Sequence, residues 1–526
     1  MNTVNSYVPR DAQDEFSDAL GRICRDARTP PGRRQIWSAK DTALAIVTAA
    51  AAFPTTQARA IDALGNLTCE ARIAVDIWQH AGARTALVDA AAVGAPGERA
   101  SAVKALHNIS SLAIKREMWQ HAGLRAALIA AAAFGGAEAL RESALDTLCH
   151  LAYQETSNTR EMWECPGVRA VLRESAAAGV ADCVRRRAFE ALRSLTCDDQ
   201  NSVAMWEDMD FREMLLEAAA VGTAGVQEQV IGTLQNLCCD DTNKRAIWLH
   251  VGTREALLAA AAFGGAAGAG GFEPARESHA TRESALDALC HLALEVSNQR
   301  EMWEHLDTRA ALLDAAVAAG VTDREREPAI AALGNLTCDD RNSVEMWENA
   351  SAREALLEAA RALRSHAGTR KRALGALQNM ACDRENKRKM WAHLGARAVL
   401  LDSAGCIEGG VRKRAIKALQ SLAEEAENQR DMMENADARA VLDAAPVARV
   451  DRPPAMTRGT GKRGADDAIP DNSEIKRQKR ETESLAGAPK CVVCKDARYE
   501  VIVLPCQHLV VLVMCGTCCA RLYPQA

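Results

Sequence analysis

One pattern is repeated along most of this chain, and the repetition limits the folds that are open to it. The clearest copy is LGNLTCDDRNSVEMWENASAREALLEAA, residues 333–360. Its first leucine recurs at steps of 42, 42, 44, 42, 55, 44, 44 and 42 residues, as Leu64, Leu106, Leu148, Leu192, Leu234, Leu289, Leu333, Leu377 and Leu419. A period of about 42 residues without strand-like alternation predicts a helical solenoid, in which each unit packs on its neighbours.

All nine tryptophans of the chain occupy one position of the repeat. Eight of them are followed by an arginine after six residues and a leucine after nine, namely Trp78, Trp119, Trp163, Trp206, Trp248, Trp303, Trp347 and Trp391. Met433 takes this position in the last unit, and Trp37 takes it in a weaker copy that begins near Leu20. Burying roughly 200 Å² of a tryptophan at ~25 cal/mol/Å² contributes on the order of 5 kcal/mol before entropy is counted. We therefore predict that these side chains belong to the core.

Each unit is predicted to hold three helices. In RESALDTLCHLA, Leu145, Leu148 and Ala152 follow the i, i+3, i+7 spacing of one helix face. A break follows at DDRN or its variants, and a shorter helix then runs through the tryptophan. This helix is predicted to end at a glycine or aspartate turn, as at Gly82, Gly252, Asp307 and Gly395. A third helix, with the sequence REALLEAA in one unit, closes the pattern.

These features resemble the armadillo repeat: three helices per unit, an asparagine in the loop after the longest helix, and ALxNL within that helix. The resemblance covers residues 15–445 and implies an all-α fold, an armadillo-type α-solenoid superhelix of about ten units. One position departs from importin alpha, which carries a tryptophan four residues before its groove asparagine. Here that position holds Asp62, Lys104, Asp146, Glu190, Gly232, Asp287, Ala331, Gly375 and Lys417. An importin alpha groove is therefore not expected.

A row of polar residues is predicted on the face of the longest helices opposite the core. This polar row consists of Asn66, Asn108, His150, Ser194, Asn236, His291, Asn335, Asn379 and Ser421. In armadillo proteins the matching asparagines line a concave groove and bond the backbone of an extended peptide, since an amide offers both a donor and an acceptor. The resemblance implies a protein substrate or peptide as partner. The alternative is that these side chains only bond neighbouring carbonyls or water.

Two pairs on these helices have the residue types of catalytic dyads. They are Asp146 with His150 and Asp287 with His291. No nucleophile recurs beside them, so a solvated surface is the favoured interpretation and no catalytic residue is predicted.

Composition describes the class of protein. The 526 residues are 48% apolar and 25% charged, and the net charge of −6 argues against a protein that coats nucleic acid. The N-terminal sequence has no signal-peptide core and no apolar run reaches ~18 residues, so we expect a soluble, intracellular chain without a membrane. Twelve of the 18 cysteines lie in the array. Five share one slot of the repeat and are predicted to be small buried residues: Cys69, Cys197, Cys239, Cys338 and Cys382.

The units also fall into groups of three. SNTREMWE at Ser157 matches SNQREMWE at Ser297 and ENQRDMME at Glu427, which indicates that a three-unit block was copied. The copying would also place similar surface residues at regular distances. One copy carries an insertion from Gly264 to Ala280, whose glycine content predicts a surface loop.

Two segments of the chain lack the repeat and are predicted to be disordered: residues 1–14 and 446–490. The second is rich in Pro, Gly, Asp and Lys. It carries two basic clusters twelve residues apart, Lys462 and Arg463, then Lys476, Arg477, Lys479 and Arg480. They resemble a bipartite nuclear localisation signal, which implies an import receptor as partner and a nuclear location, with a cytoplasmic fraction also compatible. A solvated basic run is the alternative.

Residues 491–526 hold pairs of metal-ligand residues. The pairs are Cys491 and Cys494, Cys506 and His508, and Cys515 and Cys518. Thiolates and imidazole at this spacing suit tetrahedral zinc. The segment resembles a RING finger, most of all the short C-terminal kind of apoptosis inhibitors.

A complete RING finger holds two zinc ions, with its first and third ligand pairs on one ion. Cys491, Cys494, Cys515 and Cys518 supply that site, whereas the fourth pair is missing after Cys506 and His508. The finger therefore looks truncated, with a second site half built unless Cys519, another chain or missing residues supply ligands.

The combined resemblance implies a RING-type ubiquitin ligase. The solenoid would recruit a protein substrate, and the finger would dock a ubiquitin-conjugating enzyme. Val493 and Leu522 match the apolar docking positions of RING fingers. The alternative is a noncatalytic nuclear scaffold with a degenerate finger.

Overall fold

The computed structural model describes residues 10–51, 56–135, 137–262, 276–317, 321–361 and 367–444. All of them lie in one compact unit, residues 1–448. Within the described residues the regular structure consists of thirty α-helices and contains no strand. Ten successive groups of three helices confirm the predicted all-α solenoid.

The three helices of each unit differ in length and in the residues they carry, and the labels follow the chain. The long helices are α1 (Arg10–Asp26), α4 (Gln57–Leu67), α7 (Pro96–Ser110), α10 (Glu138–Ala152), α13 (Asp182–Leu195), α16 (Ala224–Cys239), α19 (Arg276–Leu292), α22 (Asp323–Leu336), α25 (Ala367–Cys382) and α28 (Gly409–Leu422). The short helices, which hold the tryptophan position, are α2 (Pro30–Trp37), α5 (Ala71–Gln79), α8 (Lys115–Gln120), α11 (Thr156–Glu164), α14 (Asp199–Glu207), α17 (Lys244–Leu249), α20 (Val296–Glu304), α23 (Asp340–Glu348), α26 (Arg384–Ala392) and α29 (Ala426–Glu434). The closing helices are α3 (Lys40–Ala51), α6 (Ala81–Val93), α9 (Ala122–Ala132), α12 (Pro166–Ala176), α15 (Met209–Val221), α18 (Val251–Ala261), α21 (Leu306–Val317), α24 (Ala350–Arg361), α27 (Leu394–Ala404) and α30 (Ala436–Ala444).

The long helices form a continuous row. Each packs on the long helix of the unit before and after it, as α10 does on α7 and α13. Each closing helix packs on the long helix of the next unit, as α9 does on α10. The anchoring leucines from Leu64 to Leu419 lie inside this packing, and each is at most 1% exposed. The core therefore runs along the array, as the repeat predicts.

The tryptophan position is buried in eight units, which confirms the prediction there, whereas Met433 at this position in the last unit is exposed. The eight side chains from Trp78 to Trp391 are at most 5% exposed, and Trp37 is half-buried. The arginine six residues later folds back onto the ring. The guanidinium of Arg212 lies 5.2 Å from the ring centroid of Trp206, and its Nη1 donates to the Trp206 carbonyl oxygen at 2.7 Å. This double contact explains the fixed spacing of six residues.

Five of the tryptophans also bond the next unit. The indole N–H of Trp119 donates to Glu161 Oε2 at 3.1 Å, and the same contact joins Trp248 to Glu301. The carboxylate stands two residues before the next tryptophan. The bond is absent where that slot holds Ala204, and Trp391 Nε1 makes no hydrogen bond among the described residues although Asp431 fills the corresponding slot.

The turn between the short and closing helices lies upstream of its predicted place. Gly82 is already inside the closing helix α6, and the residue between the helices is His80, whose Nδ1 accepts a hydrogen bond from the Ala83 backbone N–H. Aspartate or asparagine makes the same N-cap in other units, as Asp208 and Asn349 do. The predicted position of this turn, at a glycine or aspartate, was wrong. The closing helix starts after a residue whose side chain accepts a backbone hydrogen bond, and no flexible residue is needed there.

Two predicted boundaries also change. Helix α1 begins at Arg10, upstream of the predicted start of the array at residue 15. Helix α19 begins at Arg276, so the last residues of the predicted loop, up to Ala280, are helical. The glycines of the insertion end at Gly271, and the following ARESHA consists mainly of good helix formers.

Among the described helices, none has the length and apolar character needed to cross a bilayer. The predicted linker at 446–490, its basic clusters and the cysteine-rich segment at 491–526 lie outside the described residues.

Candidate binding surface on the long helices

The structure places the polar row on the long helices. Each member stands two residues after the anchoring leucine and is half-buried, from Asn66 on α4 to Ser421 on α28. Since the long helices pack side by side, these residues form one continuous line across nine units. The predicted location of the row is confirmed.

The amides of the polar row bond to the preceding unit. Asn108 Nδ2 donates to Thr68 Oγ1 at 3.1 Å. Asn379 Nδ2 donates to Thr337 Oγ1 at 3.1 Å, and Asn335 Nδ2 donates to the carbonyl oxygen of Cys290 at 3.2 Å. Asn236 repeats the arrangement with Thr196, at 3.2 Å. Such bonds within the protein agree with the alternative interpretation, in which these side chains bond neighbouring groups.

Hydrogen-bond acceptors nevertheless remain available at this surface. Within the described part of the chain, no hydrogen-bond donor reaches the Oδ1 atoms of Asn108, Asn236, Asn335 or Asn379. Each oxygen has two lone pairs and lies on a half-buried side chain. The amide oxygens of the row are thus available as acceptors, while its donor groups hold neighbouring units together.

The two histidine–aspartate pairs lie on this surface, and the histidine of each pair belongs to the polar row. His150 stacks on His107 of the preceding long helix, with ring centroids 4.5 Å apart. Asp146 contacts both His107, 3.6 Å from its Nδ1, and Arg187, 3.3 Å from its Nη1. In the copied block Asp287 instead accepts a hydrogen bond from Gln235 at 3.1 Å.

Burial changes the protonation of groups in this region. Desolvation lowers the pKa of His107, against the opposing effect of the Asp146 carboxylate, and His150 and Arg187 lower it further. Imidazole at position 107 is therefore neutral near pH 7.

The shared cysteine slot contradicts the prediction of burial. Cys69, Cys197, Cys338 and Cys382 are exposed, and Cys239 is half-buried. Five residues at 100° per residue turn the slot about 140° away from the anchoring leucine, toward the surface. The thiols lie beside the polar row, where Asn236 Nδ2 is 3.6 Å from Cys197 Sγ.

The buried thiols occupy other slots. They are Cys149, Cys238 and Cys290. Burial raises the pKa of Cys149 to about 11 and that of Cys290 to about 12. These thiols stay protonated and are poor nucleophiles.

A second asparagine position, expected from the sequence only as the asparagine that follows the longest helix, has a structural role that the sequence did not predict. It stands five residues before the tryptophan position in seven units, as Asn158, Asn201, Asn243, Asn298, Asn342, Asn386 and Asn428, and each is at most 3% exposed. Asn342 Nδ2 donates to the carbonyl oxygens of Gln299 at 2.9 Å and of Leu336 at 3.2 Å. The contact ties the end of one long helix to the preceding short helix. The fixed spacing to tryptophan was the signal available in the sequence.

The predicted ligands of zinc lie outside the described residues: Cys491, Cys494, Cys506, His508, Cys515 and Cys518. The same holds for the docking positions Val493 and Leu522 and for the basic cluster residues Lys462, Arg463, Lys476, Arg477, Lys479 and Arg480.

No model of a known protein family matches the sequence, and no curated protein matches it. Solved structures do. The crystal structure of an engineered protein from the Northeast Structural Genomics Consortium is 17% identical with a TM-score of 0.62, over 79% of this chain and 96% of that one. A structure from a study of a phosphorylation switch in the interaction between cadherin and beta-catenin is 17% identical with a TM-score of 0.51, over 81% of this chain and 82% of that one. These similarities concern the fold alone and confirm an armadillo-like α-solenoid.

Proposed function

We propose that this protein is a RING-type ubiquitin ligase in which the long-helix surface recruits a protein substrate. The observation that carries the recruitment step is the continuous polar row, with its Oδ1 atoms directed to no partner among the described residues. An extended peptide presents backbone N–H groups at regular intervals and can satisfy such acceptors. The similarity of fold to a structure from a study of the interaction between cadherin and beta-catenin supports a protein as the partner.

The ligase step rests on the sequence of residues 491–526. Cys491, Cys494, Cys515 and Cys518 have the donor types and spacing of a complete tetrahedral zinc site. In this proposal zinc is structural and holds the segment in shape. Val493 and Leu522 provide apolar contacts for a ubiquitin-conjugating enzyme.

The chain itself forms no covalent intermediate. As in the RING fingers that it resembles, the amine of a substrate lysine attacks the thioester carbonyl of the loaded conjugating enzyme. The enzyme's cysteine thiolate leaves, and the lysine forms an amide bond with ubiquitin. The contribution of this chain is to hold the two reactants close together, which raises their effective concentration.

The linker supports action in the nucleus. Six basic residues in two clusters separated by twelve residues match an import signal. Replacing Lys476, Arg477, Lys479 and Arg480 by alanine should move a fluorescent fusion of the full chain from nucleus to cytoplasm. A nuclear distribution unchanged by these substitutions would mean that the cluster is a solvated basic run.

A second candidate function is a noncatalytic nuclear scaffold. It is favoured by the second ligand set, in which Cys506 and His508 supply only half of the four donors that a zinc ion needs. Such a segment could bind partners without activating a conjugating enzyme.

Autoubiquitylation of the purified full chain separates the two functions. With ubiquitin, activating enzyme and a panel of conjugating enzymes, we expect ubiquitin adducts on the wild-type chain and none on Cys494→Ser. Cys382→Ser is the matched control, because it removes an exposed thiol of the array and leaves the zinc ligands intact. Adducts that are absent from the wild type, or equal in Cys494→Ser, would favour the scaffold.

A further inference from the structure

Three potential metal ligands meet between two neighbouring long helices. His107 lies on α7, whereas Asp146 and His150 lie one turn apart on α10 and so share one face. One donor atom of each residue lies within 4.8 Å of the donor atoms of the other two. His107 Nδ1 is 3.6 Å from Asp146 Oδ2.

Both imidazoles of this cluster hold a buried nitrogen without a partner. His107 Nδ1 and His150 Nδ1 are inaccessible to solvent and make no hydrogen bond among the described residues. A buried polar atom left without a partner is unfavourable, and such atoms in proteins are usually met by an ordered water or an ion. This observation points to a ligand independently of the grouping of the residues.

The charges around the cluster favour a cation. Arg187 contacts Asp146 Oδ1 at 3.3 Å, which leaves Oδ2 on the side of His107. The same guanidinium also pairs with Glu142 and with Glu190, at 3.4 and 2.8 Å. Three carboxylates therefore surround one guanidinium, and the immediate environment is negative before any ion binds.

The copied three-unit block has the equivalent site without a histidine at the position of His107. Gln235 stands where the first block has His107, and it donates a hydrogen bond to Asp287 Oδ2 at 3.1 Å. The glutamine thus satisfies the carboxylate directly. In the first block the imidazole gives up that bond and adds a nitrogen ligand beside the carboxylate.

We propose that His107, Asp146 and His150 bind one divalent transition-metal ion of the Zn²⁺ class and so join α7 to α10. Two imidazole nitrogens and one carboxylate oxygen suit Zn²⁺, Co²⁺ or Ni²⁺. Bonds of about 2.0–2.2 Å in a tetrahedron place donor atoms about 3.4 Å apart, close to the separation of His107 Nδ1 and Asp146 Oδ2. Rotation of the stacked imidazole rings brings the remaining donors onto the ion. Since all three side chains are half-buried, the fourth position is open to water.

The site predicts an unusual effect of a neighbouring charge. Arg187→Gln removes the guanidinium that pairs with Asp146, so this variant should bind Zn²⁺ several-fold more tightly than the wild type. A histidine cluster that only stabilises the fold would show no such gain, because loss of Arg187 breaks ion pairs on three carboxylates.

The test is equilibrium dialysis of the full-length chain against Zn²⁺, followed by metal analysis of the wild type, His107→Gln and His291→Gln. His107→Gln copies the residue of the second block and should retain the fold, and His291→Gln is the matched control in that block. We expect His107→Gln to hold about one zinc ion per chain fewer than the other two proteins. Equal zinc contents in all three proteins would overturn the proposal.

A Co²⁺ titration distinguishes this site from the cysteine-rich segment. Cobalt bound by two imidazoles and a carboxylate gives d–d absorption without thiolate-to-cobalt charge transfer. We expect His107→Gln to lose only absorption of the first kind, and Arg187→Gln to gain it at lower Co²⁺ concentration. If His107→Gln is poorly folded by circular dichroism, the Arg187→Gln titration decides, and unchanged or weaker binding there contradicts the site.

Discussion

Trp303 donates its indole N–H to Glu345 Oε2 at 3.1 Å, across the boundary between two successive units. The ring is 1% exposed, and the guanidinium of Arg309 lies 5.2 Å from its centroid. One side chain therefore fills the core of its own unit, orders the following turn and bonds the next unit. This combination explains why the tryptophan position is the most regular feature of the sequence.

Replacing this tryptophan should loosen the array. We expect Trp303→Ala to lower the free energy of unfolding by about 3–5 kcal/mol, because it leaves a large cavity between packed helices. Denaturant unfolding measures the change. The control is Glu345→Gln, which keeps the ring buried and alters a half-exposed carboxylate, so it should cost less than about 1 kcal/mol. A melting curve unaffected by Trp303→Ala would contradict the assigned core.

The two asparagine positions should respond differently to alanine. Asn342 is fully buried and donates to two backbone carbonyl oxygens, so Asn342→Ala should cost about 2–3 kcal/mol. Asn335 is half-buried with one such bond to a carbonyl oxygen, and Asn335→Ala should cost less than about 1 kcal/mol. Thermal unfolding of the two variants checks the order. Equal losses would mean that the polar row is structural.

Stability should fall as the pH falls below the ordinary pKa of histidine. Desolvation, followed by the charge of Arg212, lowers the pKa of His250 in the folded state, while the unfolded chain keeps a value near 6.5. The unfolded state therefore binds more protons between about pH 7 and pH 5, so the contribution is complete above the unfolded pKa and is lost as the pH falls toward the folded one.

The cap made by His250 gives this effect a matched control. Its Nδ1 accepts the Thr253 backbone N–H at 3.3 Å, and Asn349 makes the equivalent cap elsewhere without titrating. His250→Asn should therefore keep the stability at pH 7 and reduce the loss at pH 5. A pH profile identical to that of the wild type would show that protonation occurs elsewhere.

Thiol reactivity should divide the cysteines of the array. Under native conditions at pH 7, a maleimide should label Cys69, Cys197, Cys338 and Cys382 first, because these thiols are exposed. Cys149 and Cys290 should react only after unfolding, since burial raises their thiol pKa to about 11 and about 12. Peptide mapping by mass spectrometry reads the order, and early labelling of Cys290 would contradict the packing of α19.

Much of the fold was predictable from periodicity. The recurrence of the positions of Leu333 and Trp347 indicates the number of units and the order of helices, because the same repeat position is buried in the same way in successive units. Burial of Cys338 was wrongly predicted, because regular spacing does not by itself indicate burial and the angular offset from Leu333 places this residue at the surface. His80 was missed as a cap because histidine is not among the usual residues of that position.

The candidate surface was predictable only in part. Sequence alone places Asn335 and His150 on the exposed side of the long helices, but it does not show which atoms are already bonded. Asn335 uses its Nδ2 group for a hydrogen bond within the protein. His107 and Asp146 belong to neighbouring units, are 39 residues apart in the sequence, and contact each other. Such contacts depend on how successive units pack, which periodicity does not specify.

Selection from a displayed random-peptide library by the full chain tests most directly whether the polar row binds an extended protein segment. The triple variant Asn236→Ala, Asn335→Ala and Asn379→Ala should lose affinity for the selected peptides while it remains folded. The control replaces Val251, Leu306 and Leu394, exposed apolar residues that begin closing helices, by alanine. We expect the control to bind as the wild type does. If the peptides bind the polar-row variant with the affinity of the wild type, or lose affinity only for the control, the polar row is not the binding surface.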